Sequence, residues 1–190
     1  DRPRNHRRHV RARPEGEIVI VAVLYASAVE AVKHYGDALA GKILVDITNP
    51  FNAEVNGLVT TVGHSLSQQI AAAAPESAHV VKAFNTILRG VLAEDKPTDA
   101  FFAGDGAEAK AKVAAFLESL GMRALDAGGL GMTYALEWAS VVLVGWPATA
   151  PASTSPWASR FRPVKSSAAG LTVCGAAERV RGALGYGRRW

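Results

Sequence analysis

The chain has 190 residues, 49% of them apolar, and a formal net charge of +4, which allows one domain with a good core, with or without poorly ordered ends. No apolar run reaches the roughly 18–20 residues that span a bilayer, and the charged amino terminus lacks an apolar h-region, so neither a membrane span nor a secretory signal is expected. The one cysteine, Cys174, excludes an internal disulfide, fits a reducing cytoplasm, and has no Cys or His neighbour at metal-ligand spacing.

The charge is unevenly spread. Residues 1–14 carry six Arg and one Asp, and residues 146–190 carry six Arg, one Lys and one Glu, which leaves the middle of the chain, 15–145, at −7. Asp1–Pro14 holds only two apolar residues, Val10 and Ala12, too few to offset its ordering entropy, and reads as a solvated basic tail. It has no interleaved aromatic residue for base stacking, so a nucleic-acid arm is the weaker reading.

From Glu17 the pattern becomes regular. Ile18–Val23 reads as a fully buried strand. Ser27 is expected to cap a helix with Glu30 as its capping-box partner, with Val29, Val32, Tyr35 and Leu39 on the inner face and Gly41 as the stop. Lys42–Ile47 is the second strand and halts at Thr48-Asn49-Pro50. Ser65 opens a helix that runs through four alanines to Pro75, and His79–Ala83 is the third strand, halting at Phe84-Asn85-Thr86. Strand, helix and strand in this order imply a parallel pair joined by a right-handed crossover. Asp99–Ala103 reads as a strand, antiparallel or at an edge. Gly104-Asp105-Gly106 is a turn, and Asp105 or the following turn is expected to cap a helix over Ala107–Leu120, with Ala111, Val113, Ala114, Phe116, Leu117 and Leu120 largely inward and Gly121 as its stop. Met122–Asp126 is the last strand, Gly128-Gly129-Leu130-Gly131 a tight turn, and Thr133–Val144 an apolar helix. Trp146–Pro163, with four prolines, reads as a linker, and Ala176–Leu184 as a short basic amphipathic helix. This divides the chain into a basic tail, 1–15, a domain, 16–145, and a Pro/Ala/Arg-rich irregular tail, 146–190.

Two apolar strands that stop abruptly at Asn49 and Asn85 mark the chemistry. Ligands of open α/β sheets collect at the carboxyl ends of parallel strands. Pro50 forces Asn49 out of helical geometry and stiffens that rim, and a carboxamide both donates and accepts. Asp46, near a strand end, reads as a loop or backbone-amide cap before it reads as a general base. His64 beside Ser65 suggests a Ser–His pair, but no third residue or Gly-x-Ser-x-Gly elbow completes a nucleophilic site.

Ile18–Val23, Gly41–Pro50, Val81–Thr86, Phe102-Ala103-Gly104-Asp105 with the following helix, and Asp126-Ala127-Gly128 leading to Leu136-Glu137 together resemble the NADP oxidoreductase family that couples NADP to the deazaflavin coenzyme F-420, over about residues 16–145. The resemblance implies an α/β, Rossmann-like, mostly parallel sheet flanked by helices, with these strands as its second half. It implies a cofactor, NADP, with coenzyme F-420 as co-substrate, over Ala22, Val23 and Leu24, and the nicotinamide near Thr48, Asn49, Pro50, Ala83, Phe84 and Asn85. None of these acts as a proton donor; hydride passes directly while the protein aligns and excludes water.

The chain departs from the family at both ends. Nothing in Asp1–Gly16 reads as the glycine-rich strand–turn–helix that holds the pyrophosphate, and Trp146 onward no longer follows the family; such flanks are what a shifted reading frame in GC-rich DNA would encode. The expected function is NADPH-linked hydride transfer to a deazaflavin or another small acceptor, impaired by that loss. The competing reading is a non-catalytic Rossmann-like remnant without cofactor binding. Expected partners are a small-molecule substrate and, through the apolar Tyr134–Val144 helix, a second copy in a homodimer; a membrane and nucleic acid are not expected.

Overall fold

The structure, a computed structural model, describes residues 14–88, 91–92 and 97–149, with side chains as far as Val144. The basic residues 1–13, the stretch from Ala150 onward with Cys174, and the expected Ala176–Leu184 helix lie outside the described residues.

Five strands form one sheet in sequential order: β1 (Ile18–Val21), β2 (Ile43–Asp46), β3 (His79–Ala83), β4 (Thr98–Gly104) and β5 (Met122–Asp126). The pairs β1–β2, β2–β3 and β4–β5 are parallel, and β3–β4 is antiparallel. The fourth strand is therefore antiparallel to its predecessor as expected, but it is internal; among the described residues β1 and β5 are the edges. Among the described residues the sheet is accompanied by the helices α1 (Tyr25–Tyr35), α2 (Leu66–Ala73), α3 (Ala107–Ser119) and α4 (Thr133–Thr149).

Alternation along the strands builds two cores, one on each face, as a doubly covered sheet requires. Ile43, Val45, Val81, Ala83 and Phe102 pack with Ala109, Val113 and Leu117 of α3. Val21, Leu44 and Val80 pack with Ala28 and Val32 of α1 and with Leu66 and Ile70 of α2. This is a Rossmann-like α/β arrangement.

Several boundaries differ from the sequence reading. The first helix starts at Tyr25 with Leu24 at its cap, so Ser27 lies inside the first turn and no side chain caps it. That helix ends at Tyr35, where Gly36 takes a φ of 44°, and a 3-10 turn, Gly36–Leu39, completes the passage before Gly41. Gly106 rather than Asp105 caps α3; the Asp105 carboxylate accepts instead from the Leu130 amide. Ala111 faces solvent and Ala109 takes its place inside, because the buried positions repeat as 109, 113 and 117. The last helix continues to Thr149, so Trp146–Thr149 is helical backbone rather than linker.

Candidate functional site

The carboxyl ends of β1, β2 and β3 lie side by side, because the three strands are parallel and in register: Val21 pairs with Asp46, and Asp46 with Lys82. The residues expected at the cofactor therefore share one rim. Ala22, Val23 and the exposed Leu24 follow β1, Thr48, Asn49 and Pro50 follow β2, and Phe84 and Asn85 follow Ala83 at the end of β3.

Just beneath this rim sits a buried ionic cluster that sequence reasoning missed. Lys82 Nζ donates to Asp46 Oδ2 at 2.8 Å and to the Thr48 carbonyl at 2.9 Å, and lies 3.3 Å from Glu137 Oε1. All three ionic side chains are fully buried. Asp46 also accepts from the Thr48 amide and hydroxyl and from Ser67 Oγ. Burial alone would raise the Asp46 pKa; the Lys82 charge and hydrogen bond, with those of Ser67 and Thr48, outweigh it and hold the carboxyl below its ordinary value. Asp46 thus caps a loop amide, as its position suggested, and pairs with a lysine as well. The signal was present: a lysine in the apolar run Val80-Val81-Lys82-Ala83 requires a buried counter-ion.

Glu137 ties α4 to this cluster. Its Oε1 accepts from the Leu66 amide at 3.0 Å, at the start of α2, and its Oε2 from Thr60 Oγ1 at 2.9 Å. Ser65 caps α2 in a reciprocal box with Gln68, and its hydroxyl lies 2.6 Å from Thr133 Oγ1. Thr133 Oγ1 donates to the Leu130 carbonyl, so the Ser65 hydroxyl donates to Thr133. His64 is exposed and Ser65 is occupied in this way, so no Ser–His pair forms.

The two asparagines meet. Asn49 Nδ2 donates to the Asn85 carbonyl at 2.9 Å, and Asn85 Nδ2 donates to Asn49 Oδ1 at 3.1 Å and to the Leu136 carbonyl of α4 at 2.8 Å. Ser140 Oγ donates to Asn49 Oδ1 at 2.6 Å. With both Nδ2 protons engaged, the Asn85 amide is fixed in orientation. Its Oδ1 and the neighbouring Thr86 Oγ1 are buried with no hydrogen-bond partner among the described residues. Immediately before them Phe84 adopts a φ of 63°, a left-handed conformation rare for an aromatic residue. Its buried ring packs edge-on against Phe116 of α3 at 6.2 Å, which holds the chain in this turn. Strained backbone and orphaned acceptors together are features of ligand sites.

Thr48, by contrast, spends its amide and hydroxyl on Asp46 and its carbonyl on Lys82. Among the described residues no group of three or more His, Cys, Asp or Glu side chains is arranged to hold a metal ion, and no helix is long and apolar enough to cross a membrane.

A Rossmann-like sheet with its polar rim at parallel strand ends defines the class as an α/β fold whose ligands collect at that rim. The comparisons narrow it. The chain is 29% identical over 142 residues to the F-420-dependent NADP reductase of Methanocaldococcus jannaschii, covering 70% of this chain and 63% of that protein. It is 33% identical to a candidate F-420-dependent NADP reductase from Arthrobacter sp. FB24, with a TM-score of 0.62 over 70% of this chain and 64% of that one. A hypothetical protein from Sinorhizobium meliloti is 31% identical, with a TM-score of 0.56 over 61% and 58% of the two chains. No protein-family profile matches. These similarities support a partial segment of the F-420-dependent NADP reductase-like family, and the chain spans somewhat less than two thirds of the length of these relatives.

Proposed function

We propose that this chain is an NADP(H)-dependent oxidoreductase whose nicotinamide site is the rim formed by Ala22–Leu24, Thr48–Pro50 and Ala83–Asn85, with a deazaflavin such as coenzyme F-420 or another small molecule as hydride acceptor. The observation that carries this reading is the orphaned Asn85 Oδ1 beside Thr86 Oγ1. A buried acceptor without a donor is costly, and the carboxamide N–H₂ of a nicotinamide would supply the missing donor. The cofactor, when bound, provides the hydride. Asn85 orients the ring through its carboxamide, Asn49 and the Leu136 carbonyl hold the Asn85 amide in place, and the apolar surroundings of Ala83 and Phe84 exclude water. The reading assigns no acid–base role at the rim.

The test compares NADPH binding, followed by nicotinamide fluorescence, for the unmodified chain and for Asn85→Ala, with circular dichroism as the check on folding. One lost hydrogen bond to a buried group corresponds to about 1–2 kcal/mol, so affinity should fall roughly tenfold. Equal affinity in a folded variant would remove Asn85 from the site. Absence of NADPH binding by either protein would favour the non-catalytic remnant.

A further inference from the structure

The buried cluster behind the rim holds one cation, Lys82, and two carboxylates, Asp46 and Glu137, all fully buried. Lys82 Nζ lies closer to Asp46, 2.8 Å against 3.3 Å to Glu137, so Asp46 is the better-paired carboxylate. The other donors to Glu137 are neutral: the Leu66 amide and the Thr60 hydroxyl. The positive end of α2 offsets part of the remaining charge, at most about half an elementary charge. A partly uncompensated negative charge therefore stays in a dry region, where ionic screening is weak.

That charge stands directly behind the asparagine pair. Glu137 follows Leu136, whose carbonyl holds Asn85, and lies one helical turn before Ser140, which holds Asn49. A nicotinamide ring is neutral when reduced and carries a positive charge when oxidised. We infer that Glu137 makes this site discriminate between the two forms, favouring the oxidised, cationic ring; the inference rests on the nicotinamide reading of the rim. Glu137 is a positioning and specificity residue here, acting across the Leu136–Asn85 contact and touching no reacting atom. For a charge separation of roughly 10 Å and an effective dielectric constant of about 20, with the helix end offsetting up to half, the preference amounts to about 3- to 15-fold in affinity. Tighter holding of the oxidised form also makes bound NADPH the better hydride donor.

The experiment measures Kd for NADP+ and for NADPH on the full chain by calorimetry, then repeats both with Glu137→Gln and Glu137→Asp. Glutamine keeps an acceptor for the Leu66 amide and a polar group for Thr60 but removes the charge, so the ratio Kd(NADPH)/Kd(NADP+) should fall about 3- to 15-fold. Aspartate keeps the charge and should keep most of the ratio. A purely structural role would weaken both nucleotides equally and leave the ratio unchanged, which would overturn the inference while leaving the nicotinamide reading intact. If Glu137→Gln does not fold, Asp46→Asn removes the same unit of charge from the cluster and must lower the ratio in the same direction, or the inference fails. Absence of binding by both nucleotides to the unmodified chain would overturn the inference and the nicotinamide reading together.

Discussion

At the scale of single residues, Lys82 decides how the rim is built. Its ammonium is the cation between two buried carboxylates, so replacing it alone leaves both without a counter-ion. Lys82→Met should destabilise the fold by about 3–5 kcal/mol, read as a large drop in Tm; a variant as stable as the parent would show that the cluster is not ionised as drawn. The same cluster sets the response to acid. The folded-state pKa of Asp46 lies below its ordinary value of 3.8, so its contribution is present in full above about pH 5 and is lost as pH falls through the depressed folded value. Thermal stability should therefore hold from neutral pH to about pH 5 and decline below about pH 4, and Asp46→Asn should flatten that decline. A Tm that falls equally steeply in the variant would assign acid sensitivity to other groups.

At the scale of elements, the joints that position the rim are local and testable. Ser65 caps α2, is paired with Gln68 in a reciprocal box, and also donates to Thr133 at the start of α4. Ser65→Ala removes the cap and leaves Thr133 Oγ1 short of a donor, so a loss of about 1–2 kcal/mol is expected in denaturant unfolding. Gly104 pairs with Val81 of β3, and an added Cβ would lie 2.8 Å from the Val80 carbonyl oxygen and 3.0 Å from Val81 Cγ2. Gly104→Ala should thus cost about 1–3 kcal/mol through overpacking, and an unchanged Tm would mean that the β3–β4 pair gives way easily. Much of this scale was legible beforehand. Ser65 at the start of α2 and Gly121 after α3 are local signals, and Met122–Asp126 was expected as a short final strand between two glycine turns. The misreading at Ser27, and the choice of Gly106 over Asp105 between the two caps open for α3, share one cause. A polar residue near a helix start reads as a cap, but Ser27 falls within the first turn and the carboxylate of Asp105 is drawn off by the Leu130 amide, a partner 25 residues away.

At the scale of the whole molecule, the parallel three-strand core was readable because each of its strands is a largely apolar run and two of them, β2 and β3, end at a polar stop. The meeting of Asn49 and Asn85 followed from that parallel register. The role of α4 was not readable. Its Leu136, Glu137 and Ser140 face the strand ends only because the helix crosses over them, and no local pattern announces a contact between residues 51 to 91 positions apart. The same holds for Lys82, whose counter-ions come from β2 and α4. On our proposal these assembled strand ends bind a nicotinamide cofactor. The most direct measurement is titration of the purified full chain with NADPH, followed by nicotinamide fluorescence with NADH alongside. Saturable binding in the micromolar range, tighter for NADPH, is the predicted result. No binding by either nucleotide up to millimolar concentration would contradict the claim and leave a folded Rossmann-like remnant in its place.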